Sequence, residues 1–250
     1  MDAKERIIVA LDVSTEKRAL ELVDCLQQYV GMFKIGLEFL NSNGPDIVRK
    51  IINIGGRVFL DGKFMDIPNT VAGAAKAVTR LSVGMFNVHT LGGLEMMRSA
   101  VQASNEEATA SKISRPLVLG VTILTSIDEE SMHEQLKIPG SLESQVIHLA
   151  TLAEKAGLDG IIASAHEIKA IRRNISRRML LVTPGIRPEW AAAQDQRRVT
   201  TPVEAILMGA SYLVIGRPIT QPPSHIGSSE AAAKIISDEI AEAIKRKEEF

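Results

Sequence analysis

Short runs rich in Val, Ile and Leu alternate with helix-like stretches from one end of the chain to the other, and this alternation constrains the fold more than any other feature. The apolar runs are Ile7–Val13, Met32–Phe39, Arg57–Phe64, Met85–Thr90, Leu117–Leu124, Gly160–Ala165, Leu180–Pro184 and Tyr212–Gly216. Runs of this length and composition suit parallel strands that are covered on their outer face by helices. Helical periodicity fills the intervals at Glu16–Tyr29, Pro45–Asn53, Thr70–Leu81, Gly93–Ser104, Ser141–Ala156, His166–Asn174, Pro202–Met208 and Ser228–Lys247. Gly31, Gly84, Gly157 and Gly209 follow helical stretches, where a left-handed residue would stop the helix. The segment Ala108–Arg115 reads as a polar surface loop.

Eight strand–helix repeats in 250 residues fit an α/β chain closed into a (β/α)8 TIM barrel better than a doubly wound sheet. A doubly wound nucleotide-binding fold would usually open on a glycine-rich turn, and Leu11-Asp12-Val13-Ser14 is not one. No Pro-, Gly- or Ser-rich linker divides the chain, so a single domain over residues 1–250 is expected.

In such a barrel, chemistry belongs at the C-terminal strand ends. Those ends carry Asp12, Lys34, the group Asp61/Lys63/Asp66, His89, Thr125-Ser126, Ser164, Gly185-Ile186-Arg187 and Gly216-Arg217. The third is the most unusual, because Asp61-Gly62-Lys63-Phe64-Met65-Asp66 follows the apolar run Val58-Phe59-Leu60 directly. Alternate strand residues share a face, so Asp61 and Lys63 should point the same way. Charges that close a core strand are either a solvated end or a working cluster, and burial of ions without pairing is costly. The Gly/Arg segments after the seventh and eighth strands occupy the recurrent phosphate position of this fold, with arginine as a bidentate donor. Nothing resembles a P-loop, so a phosphomonoester is the expected ligand. Two long connections, Pro188–Arg198 and Thr125–Gly140, have the length of lids, although the first could equally be a short charged helix.

Composition narrows the function classes. A net charge of −1 and 4% aromatic residues offer neither a basic footprint nor a stacking platform for nucleic acid. The single cysteine, Cys25, excludes an internal disulfide, and the five histidines are dispersed, so no metal site is expected. No apolar run approaches the roughly 20 residues of a membrane span. The N-terminus enters a strand without a signal-peptide pattern, so a cytoplasmic protein is expected.

Taken together these residues resemble the orotidine 5′-phosphate decarboxylase family, through essentially the whole chain. The resemblance is carried by Ala10-Leu11-Asp12, Phe33-Lys34-Ile35-Gly36, Leu60-Asp61-Gly62-Lys63-Phe64-Met65-Asp66-Ile67-Pro68-Asn69-Thr70 and Asn87-Val88-His89. It continues in Val121-Thr122-Ile123-Leu124-Thr125-Ser126, Val182-Thr183-Pro184-Gly185-Ile186-Arg187 and Ile215-Gly216-Arg217. The D-x-K-x-x-D element is shared with sister phosphosugar enzymes, and the later segments are more specific.

The resemblance implies cofactor-free decarboxylation of orotidine 5′-monophosphate to UMP, the last step of de novo pyrimidine synthesis. Lys63 would protonate C6, Asp61 would sit beside the departing carboxylate, and Lys34 would bond Asp61 and the ribose. Asp66 and Thr70 would reach the partner's site across a homodimer interface. Asp12 would bind a ribose hydroxyl, and Thr125 with Ser126 the pyrimidine. Arg187, Gly216 and Arg217 would hold the phosphate, bridged to the base by Gln196. Two departures are visible: Gly62 stands where leucine is common, and Met65 where histidine is frequent. Two other readings remain open: a metal-dependent phosphosugar decarboxylase or aldolase on the same barrel, and a non-catalytic phosphate-ligand binding protein.

Overall fold

The computed structural model describes residues 1–191 and 200–248. Eight strands, β1 (Ile7–Ala10), β2 (Met32–Ile35), β3 (Val58–Phe64), β4 (Met85–His89), β5 (Leu117–Val121), β6 (Gly160–Ile162), β7 (Leu180–Thr183) and β8 (Tyr212–Ile215), form a closed barrel. Each pairs in parallel with its neighbour, and β8 closes onto β1 through Val9 opposite Ile215. The helices are α1 (Glu16–Leu26), α2 (Leu37–Asn43), α3 (Asp46–Asn53), α4 (Pro68–Arg80), α5 (Gly93–Ser111) and α6 (Glu129–Glu134). They continue with α7 (Leu142–Ala156), α8 (Ile168–Asn174), α9 (Pro202–Met208), α10 (Arg217–Thr220) and α11 (Ser229–Glu248). Among the described residues no helix is long and apolar enough to cross a membrane.

The strands carry two separate apolar faces. Ile8, Ala10, Met32, Phe59, Met85, Leu119, Val182, Tyr212 and Val214 fill the barrel interior. Their strand neighbours Val9, Phe33, Leu60, Phe86, Val118, Leu181 and Leu213 belong to the larger outer core beneath the helices. Two-residue alternation is therefore kept, and it fixes what lies above the interior floor. Two positions beyond Met32, Phe59 and Met85 come Lys34, Asp61 and Asn87.

Several expected boundaries change. Within the run Met32–Phe39, residues 33–39 alternate with apolar side chains at odd positions, which imitates a longer strand. The strand ends at Ile35, and α2 follows with Gly36 at its N-cap. Phe39 then buries into the outer core while Leu37 is exposed, a division suited to a helix face. The expected loop at Ala108–Arg115 is helical as far as Ser111, with Ala108 buried. The connection Thr125–Gly140 holds α6, capped by Asp128 and pinned by the buried Met132. Gly157 and Gly209 do adopt positive φ. Gly31 and Gly84 do not; a Cβ at Gly31 would lie 2.3 Å from the Glu5 carbonyl oxygen, so close approach selects that glycine.

Candidate active site

The polar layer above the interior floor is joined by short contacts. Asp61 accepts a hydrogen bond from the Lys63 ammonium at 2.7 Å through Oδ1 and faces the Lys34 ammonium at 3.4 Å through Oδ2. Lys34 also reaches Asp12 Oδ1 at 3.3 Å. The side chains of Lys34 and Asp61 are each 12% exposed, Lys63 is 31% exposed and Asp12 68%, so the array runs from buried to open. Asp12, Lys34, Asp61 and Lys63 line one cavity of about 600 Å³ at the strand ends. Burial alone would raise the Asp61 carboxyl. The Lys34 charge, the Lys63 contact and the Asn87 hydrogen bond outweigh it and hold the group below its usual range. Burial and then the Lys63 charge depress His89, which leaves its ring neutral at neutral pH.

The local backbone explains how Asp61 and Lys63 come together. Leu60 pairs with Phe86, and the next pairing is Phe64 with Val88, so β3 carries extra residues in an irregularity between Leu60 and Phe64. Lys63 sits there at φ 47°, a left-handed conformation that costs an L-residue about 1–2 kcal/mol. Gly62 has its own reason. A Cβ at that position would lie 2.8 Å from the Phe64 ring, so its absence leaves room for Phe64 over the strand.

Asn87 carries no role in the sequence reading, yet it is fully buried and bonds both the Asp61 carboxylate and the Lys63 backbone. Its Oδ1 accepts from the Lys63 backbone N–H at 2.6 Å, and its Nδ2 donates to Asp61 Oδ1 at 2.7 Å. The available signal was an amide two residues after the inward-facing Met85. Thr220 and Gln221, at the end of α10, also line the cavity. No motif in the sequence marked those two.

The remaining expected residues lie around this centre. Asp66 is exposed and accepts from the Ile67 N–H at 2.6 Å, and Thr70 is exposed in the first turn of α4. Neither lines the cavity, and neither do Thr125 and Ser126, exposed in the turn after β5. Arg187 is 7% exposed, in a loop that returns to Thr200 through a 3.0 Å backbone hydrogen bond. Gly185, at φ 76°, turns the chain toward it. Gly216 caps α10, which begins with Arg217. Neither arginine lines the 600 Å³ cavity, although α10 connects Arg217 to Thr220 on its wall. Gln196 and most of Pro188–Arg198 lie outside the described residues. Among the described residues no group of three or more His, Cys, Asp or Glu side chains is placed to hold a metal ion.

Comparison with known proteins identifies the family to which the chain is similar. A family model described as "Orotidine 5'-phosphate decarboxylase / HUMPS family" matches residues 5–232. The chain is 49% identical to the orotidine 5'-phosphate decarboxylase of Syntrophomonas wolfei, covering 95% of this chain and 99% of that one. It is 51% identical to that of Moorella thermoacetica, with 93% and 92% covered. The crystal structure of the Lactobacillus acidophilus orotidine 5'-phosphate decarboxylase superposes with a TM-score of 0.82 at 35% identity, covering 94% of this chain and 98% of that one.

Proposed function

The chain belongs to the orotidine 5′-phosphate decarboxylase/HUMPS family, and from that premise we propose that Lys63 protonates C6 of orotidine 5′-monophosphate as carbon dioxide leaves, giving UMP at the last step of pyrimidine synthesis. The observation that carries this reading is the Lys34–Asp61–Lys63 array at the cavity wall. The C6–carboxylate bond breaks with its electron pair left on C6, an sp² carbon with no adjacent carbonyl to delocalise it. Such a step needs a preorganised positive charge and an immediate proton source more than a general base. The Lys63 ammonium supplies both, transfers its proton to C6 and recovers one from solvent. Asp61 keeps that ammonium aimed and faces the leaving carboxylate, and Lys34 links Asp61 to Asp12 and the ribose.

The phosphate is assigned to Arg187, Gly216 and Arg217, and the pyrimidine to Thr125 and Ser126, with Gln196 bridging the two. This grip would supply binding energy for alignment at the reacting carbon. The reading takes residues 1–250 as one barrel domain, requires no cofactor, and places the protein in the cytoplasm. It also makes the enzyme a homodimer in which Asp66 and Thr70 complete the partner's site. Support for the dimer comes from apolar residues left exposed after three consecutive strands: Leu37 after β2, Met65 and Ile67 beside Asp66 after β3, and Leu91 after β4. Paired subunits would cover such side chains.

The test is turnover of orotidine 5′-monophosphate by purified protein, followed as loss of its ultraviolet absorbance with and without excess chelator. Undiminished turnover in chelator is expected. No turnover by correctly folded protein, or strict dependence on a divalent ion, would overturn the reading; the second outcome would point to the phosphosugar branch.

A further inference from the structure

We infer that Asn87 is a positioning residue for this reaction: its one side-chain amide fixes both the backbone of the proton donor and the carboxylate that aims it. The inference rests on the reading of Lys63 as the donor to C6.

Between the Leu60–Phe86 and Phe64–Val88 pairs, β3 supplies Asp61, Gly62 and Lys63 where β4 supplies only Asn87. Regular ladder pairing is interrupted there, and the Asn87 side chain takes its place. Its oxygen meets the Lys63 N–H at 2.6 Å and its nitrogen meets Asp61 Oδ1 at 2.7 Å. That same carboxylate oxygen receives the Lys63 ammonium at 2.7 Å. The three contacts form a closed circuit from the Lys63 backbone through Asn87 and Asp61 to the Lys63 ammonium. The amide has one workable orientation, since a flip would set N–H against N–H and oxygen against carboxylate.

No other side chain fills this position. Leucine has the shape without the donor and acceptor, aspartate would face Asp61 with a like charge, and glutamine is a methylene too long for a site with no exposed surface. Asn87 is fully buried and does not line the cavity, so it acts through Lys63 and Asp61 and not on substrate. It also holds Lys63 at φ 47°, a conformation the residue would otherwise leave.

The consequence is a split between chemistry and binding. In Asn87→Ala, the ammonium loses its fixed direction, and misplacement by about 1 Å is worth on the order of 100-fold in rate. We expect kcat to fall on that order while UMP affinity and KM stay within about threefold of wild type. Asp61 also loses a hydrogen bond to its ionised form, so the acid limb of the kcat profile should move to higher pH. The charged groups facing Asp61 are Lys34 on β2 and Lys63 on its own strand, with Asp12 beyond β1 against Lys34 and His89 on β4 within the field of Lys63. All are unchanged in the variant. Asn87→Ser keeps a hydroxyl able to serve one of the two partners and should recover part of the rate; it also replaces the alanine variant if that does not fold.

Wild-type turnover together with an inactive Lys63→Ala secures the underlying reading independently. Given those, a folded Asn87→Ala with kcat within threefold of wild type and an unmoved acid limb overturns the inference. So does a parallel loss of kcat and UMP binding that disappears on cooling, which is the signature of a packing role.

Discussion

Asp61 is the residue on which the site's electrostatics turn. It bridges two ammonium groups and an amide, and the net effect is a carboxyl held below its usual range. The sign follows: a depressed folded-state value gives stability that is complete above the unfolded value and is lost as pH falls through the lower one. Asp61→Asn should therefore cost stability at neutral pH, by about 3 kcal/mol, because Lys34 and Lys63 lose the charge between them. Urea unfolding at pH 7 and at pH 3 measures this, and the difference between variant and wild type should shrink at the lower pH. Gly62 gives a second expectation at this scale. A larger side chain must displace the Phe64 ring, so Gly62→Leu should destabilise by about 1–3 kcal/mol unless Phe64 is shortened with it. A double variant with Phe64→Ala checks that coupling by recovering part of the loss.

At the scale of elements, Glu167 is a buried carboxyl outside the roles assigned above. Glu167 ends the 3-10 turn Ala165–Glu167 after β6, and its side chain accepts from the Ser164 N–H as part of a capping box. Burial pushes its carboxyl up to about 7, with the cap hydrogen bond opposing. A raised folded-state value means that the folded protein holds this proton more tightly than the unfolded chain. This contribution to stability is therefore full below the unfolded value and falls away as pH rises toward 7. Glu167→Gln keeps an acceptor for the cap, and should raise stability at pH 8 by roughly 2 kcal/mol while leaving it nearly unchanged at pH 4. Thermal unfolding at the two pH values reads the difference. Elements also mark what could be read from the sequence. All eight strands are legible because each is a short run rich in Val, Ile and Leu, buried on both faces between the barrel interior and the helices. Expected strands run past the observed ends where apolar residues continue beyond the barrel, as at Leu37 and Phe39 after β2 and at Ile123 and Leu124 after β5. The short helices α2, α6 and α10 were missed because they are decided by packing of single residues, Phe39, Met132 and Ile219, and not by a repeating pattern. Of the charged residues lining the cavity, Asp12, Lys34, Asp61 and Lys63 are legible from their strand-end positions, whereas Arg18 and Glu38 lie in helices and carry no such signal. Asn87 is not legible either, since an amide inside an apolar strand acquires meaning only when the irregularity in β3 sets it opposite Lys63.

At the scale of the whole molecule, the proposed homodimer shares each site between its two subunits. Asp66 and Thr70 stand outside the cavity of their own barrel, among exposed apolar side chains. Mixing inactive Lys63→Ala and Asp66→Asn proteins under exchange conditions should restore activity, because a mixed dimer holds one site with both residues intact. About a quarter of wild-type activity is the statistical yield from equal amounts of the two subunits. No recovery from subunits shown to exchange would refute the shared site. In the proposed mechanism the barrel binds its nucleotide with one set of residues and protonates C6 with Lys63. It is tested most directly by Lys63→Ala, assayed for orotidine 5′-monophosphate turnover and for UMP binding on the same preparation. The account predicts turnover lost by several orders of magnitude with UMP affinity retained. Turnover near the wild-type rate in that variant would contradict it.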